Sequence, residues 1–137
     1  MRVDTRKRLE AGRLVTVTAA TFEKVWSRDR GCCVRCGVAL VGARGLSWSG
    51  HHRRPRGAGG SKLRWVDLPA NIILLCGSGT TGCHGWIESH RIMGRASGWL
   101  VPLNGVRLPS EVPVHHSLHG VVILDDMGGV TSQEHPF

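Results

Sequence analysis

The chain has 137 residues, with 18 Lys plus Arg against 10 Asp plus Glu and a formal net charge of +8. That length fits one compact domain with appendages. The charge favours a polyanionic partner, nucleic acid first, although anionic membrane surfaces attract basic proteins as well. No stretch approaches the ~20 apolar residues of a membrane span. The opening MRVDTRKRLE is charged with no apolar run behind it, which argues against a secretory signal. The expected setting is therefore the cytoplasm, where thiols stay reduced and the five cysteines are readier metal ligands than disulfide partners. A hydrophobic fraction of 41% allows a modest core, and small cores often need a staple.

In chain order, residues 1–13 read as a loose basic arm or a first helix. Residues 14–20, LVTVTAA, alternate and are β-branched, which suggests a short strand. Residues 20–29 predict a helix capped by Thr21, with Phe22, Val25 and Trp26 on one face. Cys32, Cys33 and Cys36, flanked by glycines, suggest a tight knuckle. Residues 38–54 read as two short strands around Gly42–Gly45, the second ending at His51 and His52. RRPRGAGGSK (53–62) is a basic, glycine-rich loop, and NIILLC (71–76) is an apolar run entering a cysteine. GSGTTG (77–82) is a flexible loop, and residues 83–97 predict a helix beginning at Cys83–His84. Beyond it, WLVPL, HGVVILDD and GGVTSQ suggest a C-terminal β element with a turn near Met127–Gly129 and a frayed tail over 131–137.

Two constellations carry chemistry. Cys33 and Cys36 stand two residues apart, as both thiolates of a knuckle must to reach one tetrahedral ion. Cys76 and Cys83 can close such a site about forty residues later. The second spacing departs from the usual two-residue gap, so the glycine-rich insert must fold out as a loop. Cys32 is a spare thiol, with a competing three-residue gap to Cys36. The expectation is a structural zinc. The second constellation is His51, His52, Asn71 and His84. Adjacent strand residues face opposite sides, so one of the paired histidines can ligate a metal while the other meets a different partner. Successive helical side chains diverge by about 100°, so Cys83 can serve the zinc knuckle while His84 serves a second ion.

Cys33–Cys36, HHRRPRGAGGS (51–61), Asn71 before the apolar run into Cys76, and CHGW (83–86) together resemble the HNH endonucleases. They are most similar to the zinc-containing members encoded by bacteriophages of actinobacteria. The resemblance implies an α+β chain with a small ββα-metal (HNH) fold, a four-cysteine zinc knuckle and a C-terminal β element. Its expected division is an N-terminal arm (1–20), a nuclease domain (21–100) and a C-terminal β extension with tail (101–137). It implies His51 and His84 as ligands of a catalytic divalent ion, His52 as general base, and Asn71 as the residue that fixes the loop and helps orient the base. Where some relatives place a further His, this chain has Glu88, on the same helical face as His84 and able to offer an oxygen ligand. Mg²⁺, Mn²⁺ or Ni²⁺ is the implied cofactor, and imidazole donors by themselves favour a transition metal. The implied substrate is double-stranded DNA, cut to 5′-phosphate and 3′-hydroxyl ends. The implied setting is phage genome packaging beside the terminase large subunit, in the host cytoplasm.

Arg53, Arg54, Arg56 and Lys62 are expected on backbone phosphates, with glycines 57, 59 and 60 allowing close approach. His115, His116 and His119 read as a surface loop rather than a metal site. Asp125 and Asp126 read as turn residues. The tryptophans suit packing around a small zinc core better than base stacking. The alternative function is a zinc-stabilised DNA-binding module without catalysis, which would not need the full His51–His52–Asn71–His84 set.

Overall fold

A computed structural model describes residues 17–56, 64–103, 105 and 107–133. The expected arm over 1–13 lies outside them, as do most of the glycine-rich loop and residues 134–137. The described chain is a small α+β protein with two antiparallel sheets, and none of its helices is long and apolar enough to cross a membrane.

Helix α1 spans Ala19–Asp29. Its cap is Thr18, whose extended backbone lets the hydroxyl accept from Thr21 N at 3.1 Å. Of the strand expected over 14–20, residues 14–16 lie outside the described residues, Val17 and Thr18 are in no strand, and Ala19 opens the helix, with Thr21 inside it. α1 buries Val25, while Phe22 stacks on Trp48 at 5.9 Å and Trp26 meets the same ring at 5.2 Å.

The centre of the molecule is a pair of strands followed by a helix. Strand β1 (Trp48–His52) pairs antiparallel with β2 (Ile72–Cys76), placing His51 opposite Ile73 and His52 opposite Ile72. The first of the two strands expected over 38–54 is absent among the described residues; only isolated bridges link Cys32 with Ala39 and Arg44 with Trp48. Strand β1 instead takes its partner from the apolar run after Asn71. That run is buried on both faces, Ile72 through Leu75 being at most 1% exposed, with α1 and the helix that follows the strand both packed against it.

Helix α2 (Gly82–Ser89) and helix α3 (Arg91–Ala96) replace the single helix expected over 83–97. His90 makes the break. Its ring stacks on Trp86 at 4.1 Å, and its Nδ1 lies 2.8 Å from the Trp86 carbonyl, one of the acceptors a helix end leaves free.

Strands β3 (Val114–His116), β4 (Gly120–Leu124) and β5 (Val130–Ser132) form an antiparallel meander. Val114, Val122 and Leu124 join the same buried cluster as Val25, Leu74 and Ile87. The turn expected near Met127–Gly129 is present, with Asp125 Oδ1 accepting from Met127 N and Gly129 N at 2.8 Å each. Thr131 and Ser132, expected in the tail, belong to β5. His115 and His116, expected in a surface loop, belong to β3. His116 is 4% exposed and bonds Asp29 Oδ1 through Nε2 at 2.8 Å. Its Nδ1 accepts from Leu118 N, so the proton sits on Nε2 and the ring donates to the carboxylate. Asp29 also receives Arg28 and the Leu74 amide. Burial pushes the Asp29 carboxyl up, but the bonds and charges of His116 and Arg28 outweigh it and hold the group below its ordinary 3.8.

Candidate metal centres

Cys33, Cys36, Cys76 and Cys83 present four sulfurs within 4.8 Å of one another, a group that could hold a metal ion such as zinc. Four thiolates at about 2.3 Å from a tetrahedral zinc lie ~3.8 Å apart; Cys36 and Cys76 sulfurs are 3.9 Å apart. No pair is bonded as a disulfide. Backbone amides point at the sulfurs, Cys36 N at Cys33 and Cys83 N at Cys76, both at 3.4 Å. Arg35, inside the knuckle, stacks 3.8 Å over Trp86 and donates to Cys83 Sγ at 3.2 Å. Burial pushes the Cys83 thiol above its ordinary range, and Arg35 pulls the other way. The donor set and the spacing both fit zinc, which would displace the thiol protons on binding.

The six-residue gap between Cys76 and Cys83 closes on itself. Gly77 (φ +85°) and Gly82 (φ +60°) stand at its two feet, where a Cβ on Gly77 would lie 2.1 Å from Thr81 O and one on Gly82 2.7 Å from Cys76 O. Only glycine tolerates both the left-handed backbone and the contact. Cys32 stays outside the cluster, half-buried, with its thiol donating to Arg30 O at 3.3 Å.

His51, His84 and Glu88 form the second group, each offering one ligand atom within 4.8 Å of the others. The hydrogen bonds fix which atoms these are. His51 Nε2 lies 2.8 Å from the Trp99 carbonyl, which only accepts, so Nε2 carries the proton and Nδ1 keeps its lone pair. Ser49 donates its single hydroxyl proton to Gly77 O at 3.2 Å, so its oxygen accepts from His84 Nδ1 at 2.7 Å. The His84 lone pair is then on Nε2. His51 Nδ1 and His84 Nε2 lie 3.9 and 3.8 Å from Glu88 Oε2. Burial and the neighbouring His84 push His51 down to about 3. Burial also lowers His84, with Glu88 opposing. Both rings are therefore neutral near pH 7, the form a metal needs. Two imidazoles and one carboxylate fit a borderline divalent ion such as Ni²⁺ better than Mg²⁺. The other carboxylate oxygen of Glu88 accepts from Arg91 at 2.7 Å.

His52 stands one residue further along β1 and so faces the other side of the pleat. Its Nε2 lies 2.8 Å from Asp67 Oδ1, with the two side chains 21% and 14% exposed. Asn71 is fully buried, and the hydrogen bonds of its side chain go to backbone rather than to the ring. Its Oδ1 accepts from Arg54 N, its Nδ2 donates to Arg54 O and Val66 O, and its carbonyl accepts from Arg53 N. It staples the exit of β1 to the 3-10 turn Arg64–Asp67.

The basic run behaves differently from expectation at its first residue. Arg53 is a phosphate contact in the sequence reading, yet its side chain is 0% exposed. It donates to the carbonyls of Gly98, Ala70, Pro109 and Val112 at 2.7–3.0 Å. Ala70 and Pro109 lie in 3-10 turns, Val112 follows one and Gly98 follows a helix, and one planar guanidinium ties the four segments together. Burial, with Arg28 nearby, lowers Arg53 to about 9, which leaves it charged at neutral pH. Arg54 is half-buried, 5.0 Å over Trp65, and donates to Leu103 O. Arg56 is half-buried as well. Lys62 and glycines 57, 59 and 60 lie outside the described residues.

Ser49, Asp67 and the Trp99 carbonyl escaped the sequence reading. Ser49 stands two residues before His51 on the same face of β1, a period-2 signal that could have marked it. No spacing rule links Asp67 to residue 52, or a backbone carbonyl at 99 to residue 51. No family model, curated protein or solved structure matches this chain.

Proposed function

We propose that the protein is a metal-dependent endonuclease of the HNH type, hydrolysing phosphodiester bonds of double-stranded DNA. The observation that supports this most directly is the convergence of His51, His84 and Glu88, from a strand and a helix, with lone pairs turned inward. A zinc-stabilised binding module has no use for such an arrangement. A zinc held by the four cysteines would fix the helix that supplies two of these three groups.

A divalent ion bound there would withdraw charge from the phosphate and from the departing oxygen. His52 takes a proton from the attacking water. The water oxygen bonds to phosphorus as the P–O3′ bond breaks, leaving a 5′-phosphate and a 3′-hydroxyl that takes its proton from solvent. Arg54 and Arg56 hold neighbouring phosphates, contacts that fix register and carry no sequence information. The motif resemblance further suggests work beside a phage terminase large subunit, which co-purification with that subunit would test.

The deciding experiment is nicking of supercoiled plasmid with Mg²⁺, Mn²⁺ or Ni²⁺, with and without chelator, beside His52→Ala and His84→Ala. The expected result is metal-dependent nicking lost in both variants. Cleavage undiminished in His52→Ala would overturn the base assignment. DNA binding with no cleavage under any metal would favour the binding module.

A further inference from the structure

We infer that Asp67 is the positioning residue for His52, setting both the ring's orientation and which of its nitrogens is free to take a proton. The inference deepens the nuclease reading and rests on it. The contact is a direct one, 2.8 Å from His52 Nε2 to Asp67 Oδ1. A carboxylate oxygen only accepts, so the bond requires the proton on Nε2, and in the neutral ring the lone pair is then on Nδ1.

The surroundings are built to keep this pair together. His52 ends β1, and Asp67 ends the 3-10 turn Arg64–Asp67. Fourteen residues separate them, part of them glycine-rich, so chain continuity alone would not fix their distance. Asn71 does. Its side chain bonds the backbone of Arg54, two residues after His52, and the carbonyl of Val66, one residue before Asp67. Its own carbonyl takes the amide of Arg53. One fully buried amide thus clamps the backbone beside each member of the pair. The histidine remains 21% exposed, so water can reach the ring while its far nitrogen is held.

Asp67 also has a use during the reaction. When His52 accepts a proton at Nδ1 the ring becomes an imidazolium, and a carboxylate already bonded at Nε2 stabilises the new charge without moving. Asp67 touches neither metal cluster and needs no contact with DNA for this.

The test has one arm that needs no variant and no turnover. Long-range ¹H–¹⁵N NMR of the zinc-loaded protein with Mg²⁺ is expected to show His52 as the Nε2–H form. An Nδ1–H form would overturn the inference. In the second arm, Asp67→Asn, Asp67→Glu and His52→Ala are compared on supercoiled plasmid with Mn²⁺, with DNA affinity measured separately in chelator. Asp67→Asn is expected to lower kcat about a hundredfold with DNA affinity within twofold of wild type, and Asp67→Glu to recover part of the loss. Full kcat in Asp67→Asn beside an inactive His52→Ala would overturn the positioning role while leaving the nuclease reading intact. Full kcat in His52→Ala would instead remove the base itself, and with it the use for Asp67, whatever the NMR shows of their contact.

Discussion

Cys83 and His84 are consecutive residues on α2, yet the sulfur of one joins the thiolate group and the imidazole of the other joins His51 and Glu88. The helix has only eight residues, too short to hold its shape without tertiary support. The second group therefore depends on the first. Cys83→Ser is expected to lose zinc and also to lose Mn²⁺ or Ni²⁺ binding at the second site. His84→Ala is expected to lose only the second. Metal content by mass spectrometry and titration with Ni²⁺ would read both, and second-site affinity surviving zinc loss would disprove the dependence.

Ser49 acts through His84. Its hydroxyl hands one bond to Gly77 O and takes one from His84 Nδ1. Ser49→Ala leaves that ring free to rotate or to change tautomer. The expected outcome is a drop in second-site affinity of about 10- to 100-fold with zinc content unchanged, measured by calorimetric titration with Mn²⁺. Unchanged affinity would mean that packing alone orients the ring.

Arg53 and Arg54 are neighbours with different predicted phenotypes. Arg53→Lys keeps a charge but cannot reach four carbonyls, so it is expected to cost roughly 3 kcal/mol of stability. Urea unfolding would measure it. Arg54→Ala is expected to unfold like wild type and to reduce the slope of log affinity for DNA against log salt by about 1. A reduced salt slope in a folded Arg53 variant would return that residue to the DNA interface.

The Asp29 carboxyl supplies a pH dependence with a definite sign. Its folded value lies below the ordinary 3.8 because His116 and Arg28 overcome the effect of burial. The stability it contributes is therefore complete above the unfolded value and is lost as pH falls through the folded one. Asp29→Asn is expected to be about 3 kcal/mol less stable than wild type at pH 6. The difference should shrink steadily below pH ~4. Urea midpoints of the two proteins across pH 2.5–6 would check it, and a gap that widens on acidification would contradict the assignment.

What the sequence made legible follows from how local each signal was. The two cysteine pairs, the paired histidines and Glu88 four residues after His84 are short-range patterns; the structure gathers the four cysteines into one cluster and His51, His84 and Glu88 into another, with His52 on Asp67 instead. The turn at Asp125–Gly129 was legible for the same reason. Arg53 was not, because a sequence cannot show that four carbonyls from segments up to 59 residues away end at one point. An arginine among arginines reads as surface. His116 was misread likewise: its partner Asp29 is 87 residues distant. The missing first strand, expected before Gly42–Gly45, failed for another reason. Val38, Ala39 and Val41 are exposed and only Leu40 is buried, and so short a stretch with one buried side chain specifies no partner.

The touching feet of the segment between Cys76 and Cys83 leave the tip of its crown at Gly79 without metric duty. At Gly79 an added side chain would meet nothing within 4 Å, so residues could be gained or lost there without displacing either sulfur. Kindred chains would then keep the same tetrahedron under quite different cysteine intervals. A search keyed to the interval between those two thiols would overlook them, while one keyed to a glycine after the first and a glycine before the second would not.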